Sequence, residues 1–147
     1  GLVGFGWLHK LATDEKLRLP IIHHPAYSGG FVSPGVSGVA DYLQLGLLPR
    51  IFGADMPIFV SYGGRFTFTE EQCKRISSYI KRPMGLMKAA CPAPGGGVTD
   101  TRLNELVELY GNDTMFLVGG DMFRRGPDIE ANMSYFVERL TKLSERT

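Results

Sequence analysis

Between Met84 and Asp128 the chain reads as strand, glycine cluster, helix, strand, glycine cluster, and this order restricts the fold more than any other stretch. Met84 to Cys91 has strand character and runs into Pro92-Ala93-Pro94-Gly95-Gly96-Gly97. A helix then ends at Tyr110-Gly111, and a second strand, Thr114 to Val118, ends in Gly119-Gly120. Glycines that follow two successive strands, with a helix between them, leave two groups of backbone N–H to face a common anion. In a (β/α)8 barrel, the loops after the seventh and eighth strands hold a phosphate in this way.

The same strand and helix unit occurs four times. The first strand candidate is Leu19 to His24, with Pro20 tolerable near its start. The Gly/Ser/Pro-rich stretch from Tyr27 to Gly38 leads into an apolar helix from about Val39 to Ile51. The second strand, Pro57 to Tyr62, runs into Gly63-Gly64-Arg65; its helix starts near Thr69, where Thr69 and Gln72 have capping-box spacing, and continues to Ile80. The third strand, Met84 to Cys91, precedes a helix from about Asp100 that carries Leu103, Leu106, Val107 and Tyr110 on one face and stops at Gly111. The fourth strand is Thr114 to Val118. Asp128 is an N-cap for a last helix with Ile129, Met133, Phe136, Val137, Leu140 and Leu143 along one stripe.

Strands and amphipathic helices alternating at intervals of about 30 residues imply parallel strands joined by right-handed crossovers. Four such units make about half of a barrel that needs roughly 250 residues. The expected fold class is therefore α/β: the C-terminal half of a (β/α)8 TIM barrel, with four parallel strands. A flavodoxin-like open sheet is the alternative, but its ligand loops gather at one switch point and not after consecutive strands. Gly1 stands first and Leu2 to Leu11 reads as the inside of a helix, so residues 1–147 are expected to be one partial barrel domain, cut at its N-terminus.

At 44% hydrophobic and 21% charged residues, the chain has the composition of a globular domain. Its 16 Lys and Arg against 15 Asp and Glu give no general attraction to nucleic acid or to an anionic membrane, so neither is an expected partner. Any phosphate must be held locally. Cys73 and Cys91 are too few for a disulfide framework and read first as buried small apolar residues. No apolar run approaches the roughly 20 residues that cross a bilayer, and no leader is recognisable, so a cytoplasmic location is expected.

Gly96, Gly97, Gly119 and Gly120 are the candidate phosphate ligands, against the plainer reading of tight turns that need positive φ. Arg124 and Arg125 follow the second cluster, as a further anion contact or as a solvated pair. His23-His24-Pro25-Ala26 closes the first strand. One of two adjacent strand residues points inward, and His24 is the preferred candidate to hydrogen-bond substrate or move a proton. Arg65, in a glycine-hinged loop, can close over an anionic substrate or simply be exposed. Lys88, expected inside the third strand, is costly there unless it faces a polar site, where it would stabilise an enolate or carboxylate. No Asp, Glu or His cluster has divalent-metal spacing, and helix capping explains Asp100 and Asp121.

The series Pro92-Ala93-Pro94-Gly95-Gly96-Gly97, helix, Tyr110-Gly111-Asn112-Asp113, apolar strand and Gly119-Gly120 resembles the C-terminal barrel half of the RuBisCO large-subunit superfamily. The likeness is to its non-photosynthetic members, the RuBisCO-like proteins, and extends from about the fourth helix to the eighth. His24-Pro25-Ala26 resembles their His-Pro-Ala, and Gly63-Gly64-Arg65-Phe66 resembles their mobile loop after the sixth strand. The resemblance implies that Gly96, Gly97, Gly119 and Gly120 bind a substrate phosphate, and that His24, or else His23, contacts the substrate near its other end. Arg65 stands where carboxylating members have a lysine, and Gly95 where they have a serine. These departures point away from CO₂ fixation and toward Mg²⁺-assisted enolisation of a phosphorylated keto sugar or sugar acid, by an enolase, isomerase, decarboxylase or transcarboxylase. Ribulose-bisphosphate carboxylase proper, or a non-catalytic phosphate-binding or interaction half-barrel, are the alternatives. In the family, Mg²⁺ is held by a carbamylated lysine and two acids after the second strand, which precedes Gly1. The chain alone is therefore expected to be inactive, and its expected partners are a phosphorylated substrate and either an N-terminal barrel half or a second copy.

Overall fold

The computed structural model describes residues 2–32 and 38–145. Three short parallel strands, β1 (Ile22–His23), β2 (Met56–Val60) and β3 (Ala93–Gly95), form one sheet in the order β1-β2-β3. Ile22 pairs with Met56, and Ile58 with Ala93. The helices are α1 (Gly4–Ala12), α2 (Gly29–Val32), α3 (Leu48–Ile51), α4 (Glu70–Lys81), α5 (Leu103–Tyr110), α6 (Gly120–Arg124) and α7 (Ile129–Ser144). A π-helical segment, Tyr42–Leu47, runs directly into α3, and a 3-10 turn, Asp100–Arg102, into α5. The part of the predicted loop at 33–37 lies outside the described residues.

Local signals decide where the helices begin. Thr69 accepts from the Gln72 N–H, and the Gln72 side chain accepts from the Thr69 N–H, so the capping box of α4 is complete. Asp128 caps α7 by accepting from the Ala131 N–H at 2.9 Å, and α5 ends on Gly111 at φ +77°. The helix expected over 39–51 departs from α geometry ahead of Pro49. Proline has no N–H for the Leu45 carbonyl and its ring crowds that oxygen; the wider turn accommodates it, and the Leu48 N–H reaches Leu43.

The sheet differs from expectation in three places. β1 is Ile22–His23, shorter than the expected Leu19 to His24. The third strand is Ala93–Gly95, not Met84–Cys91; Met84 and Met87 instead close a tight antiparallel turn around Gly85-Leu86. The fourth strand is reduced to one parallel bridge, Gly95 to Leu117. The loss of the fourth strand follows from the prolines. The carbonyls of Pro92 and Pro94 accept from the N–H groups of Met115 (2.9 Å) and Leu117 (3.1 Å), but neither proline can donate in return. Half of the ladder is missing. The fold is thus α/β with a small parallel sheet, and no fourth full strand forms among the described residues.

Alternation along β2 separates two faces. Pro57 and Phe59 are buried against the helices, whereas Met56, Ile58 and Val60 are half-buried on the other side. Phe59 sits in a core with Leu45, Cys73, Ile76, Ile80, Leu103, Leu106 and Tyr110, joined by Phe136 and Leu143 of α7. Full burial of Phe59 contributes about 1.5–3 kcal/mol. Lys81 donates from Nζ to the Tyr110 carbonyl, and Arg50 donates to the carbonyls of Tyr79, Arg82 and Lys88, so the C-terminal end of α4 is tied both to the C-terminal end of α5 and to α3.

Candidate functional site

Because the strands are parallel, the segments that follow them share one edge of the sheet. His24-Pro25-Ala26 follows β1, Ser61 to Phe66 follows β2, Gly96-Gly97 follows β3, and Gly119-Gly120 follows the Leu117 bridge. The pairing of Gly95 with Leu117 sets the two glycine clusters at equal depth on neighbouring segments. Gly96 and Gly97 have φ of +80° and +71°. The space beside Gly96, Gly119 and Gly120 is open: a Cβ there would meet nothing within 4 Å.

The loop after β2 lies directly on the triple-glycine turn. A Cβ on Gly64 would sit 2.9 Å from the Gly97 nitrogen, and one on Gly97 would sit 2.8 Å from the Gly64 nitrogen. Backbone touches backbone here, so no side chain fits between the two loops. Arg65 follows at once, exposed, with its guanidinium 5.2 Å from the Phe66 ring centroid.

The two histidines part as alternation requires. His23 is buried on the helix face, stacked on Phe5 at 5.8 Å, and Phe5 in turn stacks on Phe52. Burial, reinforced by the neighbouring His24, lowers the His23 pKa to about 4, so it is neutral at physiological pH. His24 is exposed and falls on the opposite, inner side of the sheet. Lys88 is not at this edge. It lies outside any strand, exposed, before β3 begins, and its carbonyl is held by Arg50 beside the C-terminal end of α4. The cost of a lysine within a strand does not arise, because the strand starts five residues later.

Arg124 and Arg125 are both engaged by the scaffold. Arg124 pairs with Asp121 at 3.3 Å, and Arg125 lies 3.4 Å from the Tyr135 ring centroid, with Asp100 3.9 Å away. Asp121 accepts from the Asp100 N–H at 2.8 Å, which makes it a cap supplied from across the loop. Tyr135 and Arg139 of α7 bond the Asp100 carboxylate. Among the described residues, no group of three or more His, Cys, Asp or Glu could hold a metal ion. A cavity of about 370 Å³ lined by Lys81, Ala89, Ala90, Cys91 and Asp113 lies at the other edge, away from the glycine loops.

Sequence reasoning missed Arg102, which no motif marks. Its Nη1 donates to the carbonyls of Tyr62 (2.7 Å) and Gly97 (3.0 Å), and its Nη2 to Glu105 (2.8 Å). The Tyr62 hydroxyl donates to the same carboxylate. Arg102 holds the Glu105 carboxyl below its ordinary range, while burial and the bond to Glu105 push the Tyr62 hydroxyl up to about 12.

Two neighbouring glycine clusters, a loop with two glycines and a histidine thus follow the strand ends of an α/β fold with a small parallel sheet. No family model matches the chain. It is 33% identical over 135 residues to ribulose bisphosphate carboxylase-like protein 1 of Rhodopseudomonas palustris, covering 92% of this chain and 35% of that one. Similarity extends to 2,3-diketo-5-methylthiopentyl-1-phosphate enolase of Exiguobacterium sibiricum (32% over 117 residues; 80% and 29% of the two chains) and to 5-methylthioribulose-1-phosphate isomerase of Rhodospirillum rubrum (30% over 112 residues; 76% and 30%). The solved structure of a RuBisCO-like protein from Alicyclobacillus acidocaldarius superposes with a TM-score of 0.89 at 27% identity, over 99% of this chain and 37% of that one. The chain belongs to the RuBisCO-like proteins of the RuBisCO large-subunit superfamily. It spans about a third of the length of the curated relatives it matches.

Proposed function

We propose that this chain carries the phosphate-holding and substrate-covering loops of a RuBisCO-like enzyme that enolises a phosphorylated keto compound, as an enolase or isomerase. The observation that carries this reading is the Gly95–Leu117 pairing, which brings the turns Gly96-Gly97 and Gly119-Gly120 side by side at the strand ends, with open space beside them. Relatives named for the enolisation and isomerisation of phosphorylated substrates support the reaction class.

On this reading, amides of the two turns hold the phosphate, and these fixed donors need no reorganisation during the reaction. His24, on the sheet face away from the helices, hydrogen-bonds the substrate toward its other end. Arg65 brings positive charge over the reacting carbons as its loop closes. The described residues do not fit a Mg²⁺ site, since they offer no group of three or more carboxylates, histidines or cysteines that could hold a metal ion. Any ligands for it, and the general base, would come from residues outside these. Leu2, Val3, Trp7 and Leu11 are exposed on and beside α1, an apolar surface suited to the remainder of a barrel or to a second copy.

Thermal unfolding with and without millimolar inorganic phosphate or a ketose phosphate tests the anion site. A ligand at 100 times its dissociation constant adds about 2.7 kcal/mol of stability. Gly96→Asp and Gly119→Asp should each abolish the shift. Absence of any shift for the unmodified chain would overturn the reading.

A further inference from the structure

We propose that Arg102 is a latch that holds the loop after β2 against the glycine turn after β3, so that the position of Arg65 is set from the turn where the anion is bound. The inference deepens the proposed function and rests on it only for the identity of the bound group. Arg102 begins nowhere near Arg65 in sequence, yet its guanidinium joins the two loops. One nitrogen, Nη1, donates to the last carbonyl before the Gly63-Gly64 hinge, that of Tyr62, and to the carbonyl of Gly97 in the turn. The face of the guanidinium covers the Tyr62 ring at 4.5 Å, and its outer edge is held by Glu105 through Nη2 and Nε. A planar fork with its charge delocalised can make these contacts together; a compact ammonium cannot.

Three glycines are explained by this one side chain and the contact it tightens. A Cβ on Gly63, whose φ is +73°, would lie 2.5 Å from Arg102 Nη1. Gly64 and Gly97 interlock backbone to backbone just beyond it. The Gly63-Gly64 hinge is therefore closed at its base, and what remains to move is the segment from Arg65 onward. Arg102 is 19% exposed at its side chain and its hydrogen-bonding nitrogens are turned to the two loops and to Glu105, so it is a positioning residue and not a phosphate ligand.

The test is trypsin cleavage after Arg65 in the full chain, measured relative to cleavage after Arg18, an exposed site in a separate loop. Removing charge-assisted hydrogen bonds of this kind by Arg102→Gln should raise the Arg65:Arg18 cleavage ratio roughly tenfold or more. Arg102→Lys, which keeps the charge and loses the fork, should behave like Arg102→Gln. Glu105→Gln, at an exposed position where folding is not at stake, should raise the ratio by a smaller factor. In the unmodified chain, millimolar inorganic phosphate should lower the ratio; in Arg102→Gln it should not, a difference that a merely structural role would not produce. A ratio unchanged by Arg102→Gln, a wild-type ratio in Arg102→Lys, or equal phosphate protection of Arg65 in wild type and Arg102→Gln would each overturn the latch. Failure of the unmodified chain to bind phosphate would instead overturn the proposed function, and the anion-free ratios would still decide the latch.

Discussion

Replacing Arg50 by methionine should lower stability by about 2–3 kcal/mol, a figure that depends on where the guanidinium sits. It is 3% exposed and makes three hydrogen bonds to carbonyls, at 2.6 Å (Tyr79), 2.7 Å (Arg82) and 2.8 Å (Lys88). Bonds to a charged donor contribute about 1.5–3 kcal/mol each, which gives a gross loss of about 4.5–9 kcal/mol. Against this stands the burial of a cation that forms no ion pair among the described residues and whose Nε has no partner; burial lowers its pKa for the same reason. Removing that charge returns several kcal/mol. Arg82 and Lys88 are exposed, so water can solvate their freed carbonyls, while that of half-buried Tyr79 is less accessible. For a domain of 147 residues, the net loss corresponds to a fall in Tm of roughly 4–12 °C. Calorimetry and urea unfolding of Arg50→Met measure it. A loss below about 1 kcal/mol, or a gain, would mean that the buried charge costs as much as its bonds return, and the assignment of Arg50 as the clamp of α4 would fail.

Gly64→Ala should weaken phosphate binding by about tenfold or more and lower stability by about 1–3 kcal/mol, because the new methyl meets the Gly97 nitrogen at 2.9 Å; titration and melting that match wild type would refute the interlock. His23, neutral in the folded state with its pKa lowered to about 4, contributes stability that is fully present above pH 6.5 and is lost as pH falls from 6.5 toward 4. The loss is at most about 3 kcal/mol, and urea midpoints between pH 7 and 5 should show a slope that His23→Phe removes; a slope retained in that variant would assign it elsewhere.

The helices were legible because their determinants are local. Thr69 and Gln72, Gly111, and Asp128 each fix a terminus within three or four residues of sequence, and all three behave as expected. The third strand was not, since Met84 to Cys91 looks more like a strand than a segment with two prolines does. Pro92 and Pro94 are tolerated there because their missing N–H groups point toward the weak neighbour at Met115 and Leu117, leaving Ala93 and Gly95 to pair with β2. The misplaced boundary carried Lys88 into the candidate site. Gly96 and Gly97 have the positive φ that glycine clusters in tight turns suggest, whereas Gly119 and Gly120 have neither a positive φ nor a neighbour that a Cβ would meet. Arg102 could not be read, because its partners Tyr62 and Gly97 stand 40 and 5 residues away and no spacing rule links an arginine to two loop carbonyls. Membership in the RuBisCO-like proteins was legible from the ordered series of motifs, each of them weak alone.

The proline-bearing strand also gives the sheet unequal strength along its width. From β1 to β3 the backbones are knitted from both sides, whereas the Met115–Leu117 segment hangs from two carbonyls of Pro92 and Pro94. This seam is where the sheet yields most cheaply. Side chains carry the load that the backbone does not: Phe136 and Leu143 seated in the core, and the bonds from Tyr135 and Arg139 to Asp100, fasten the end of the chain across it.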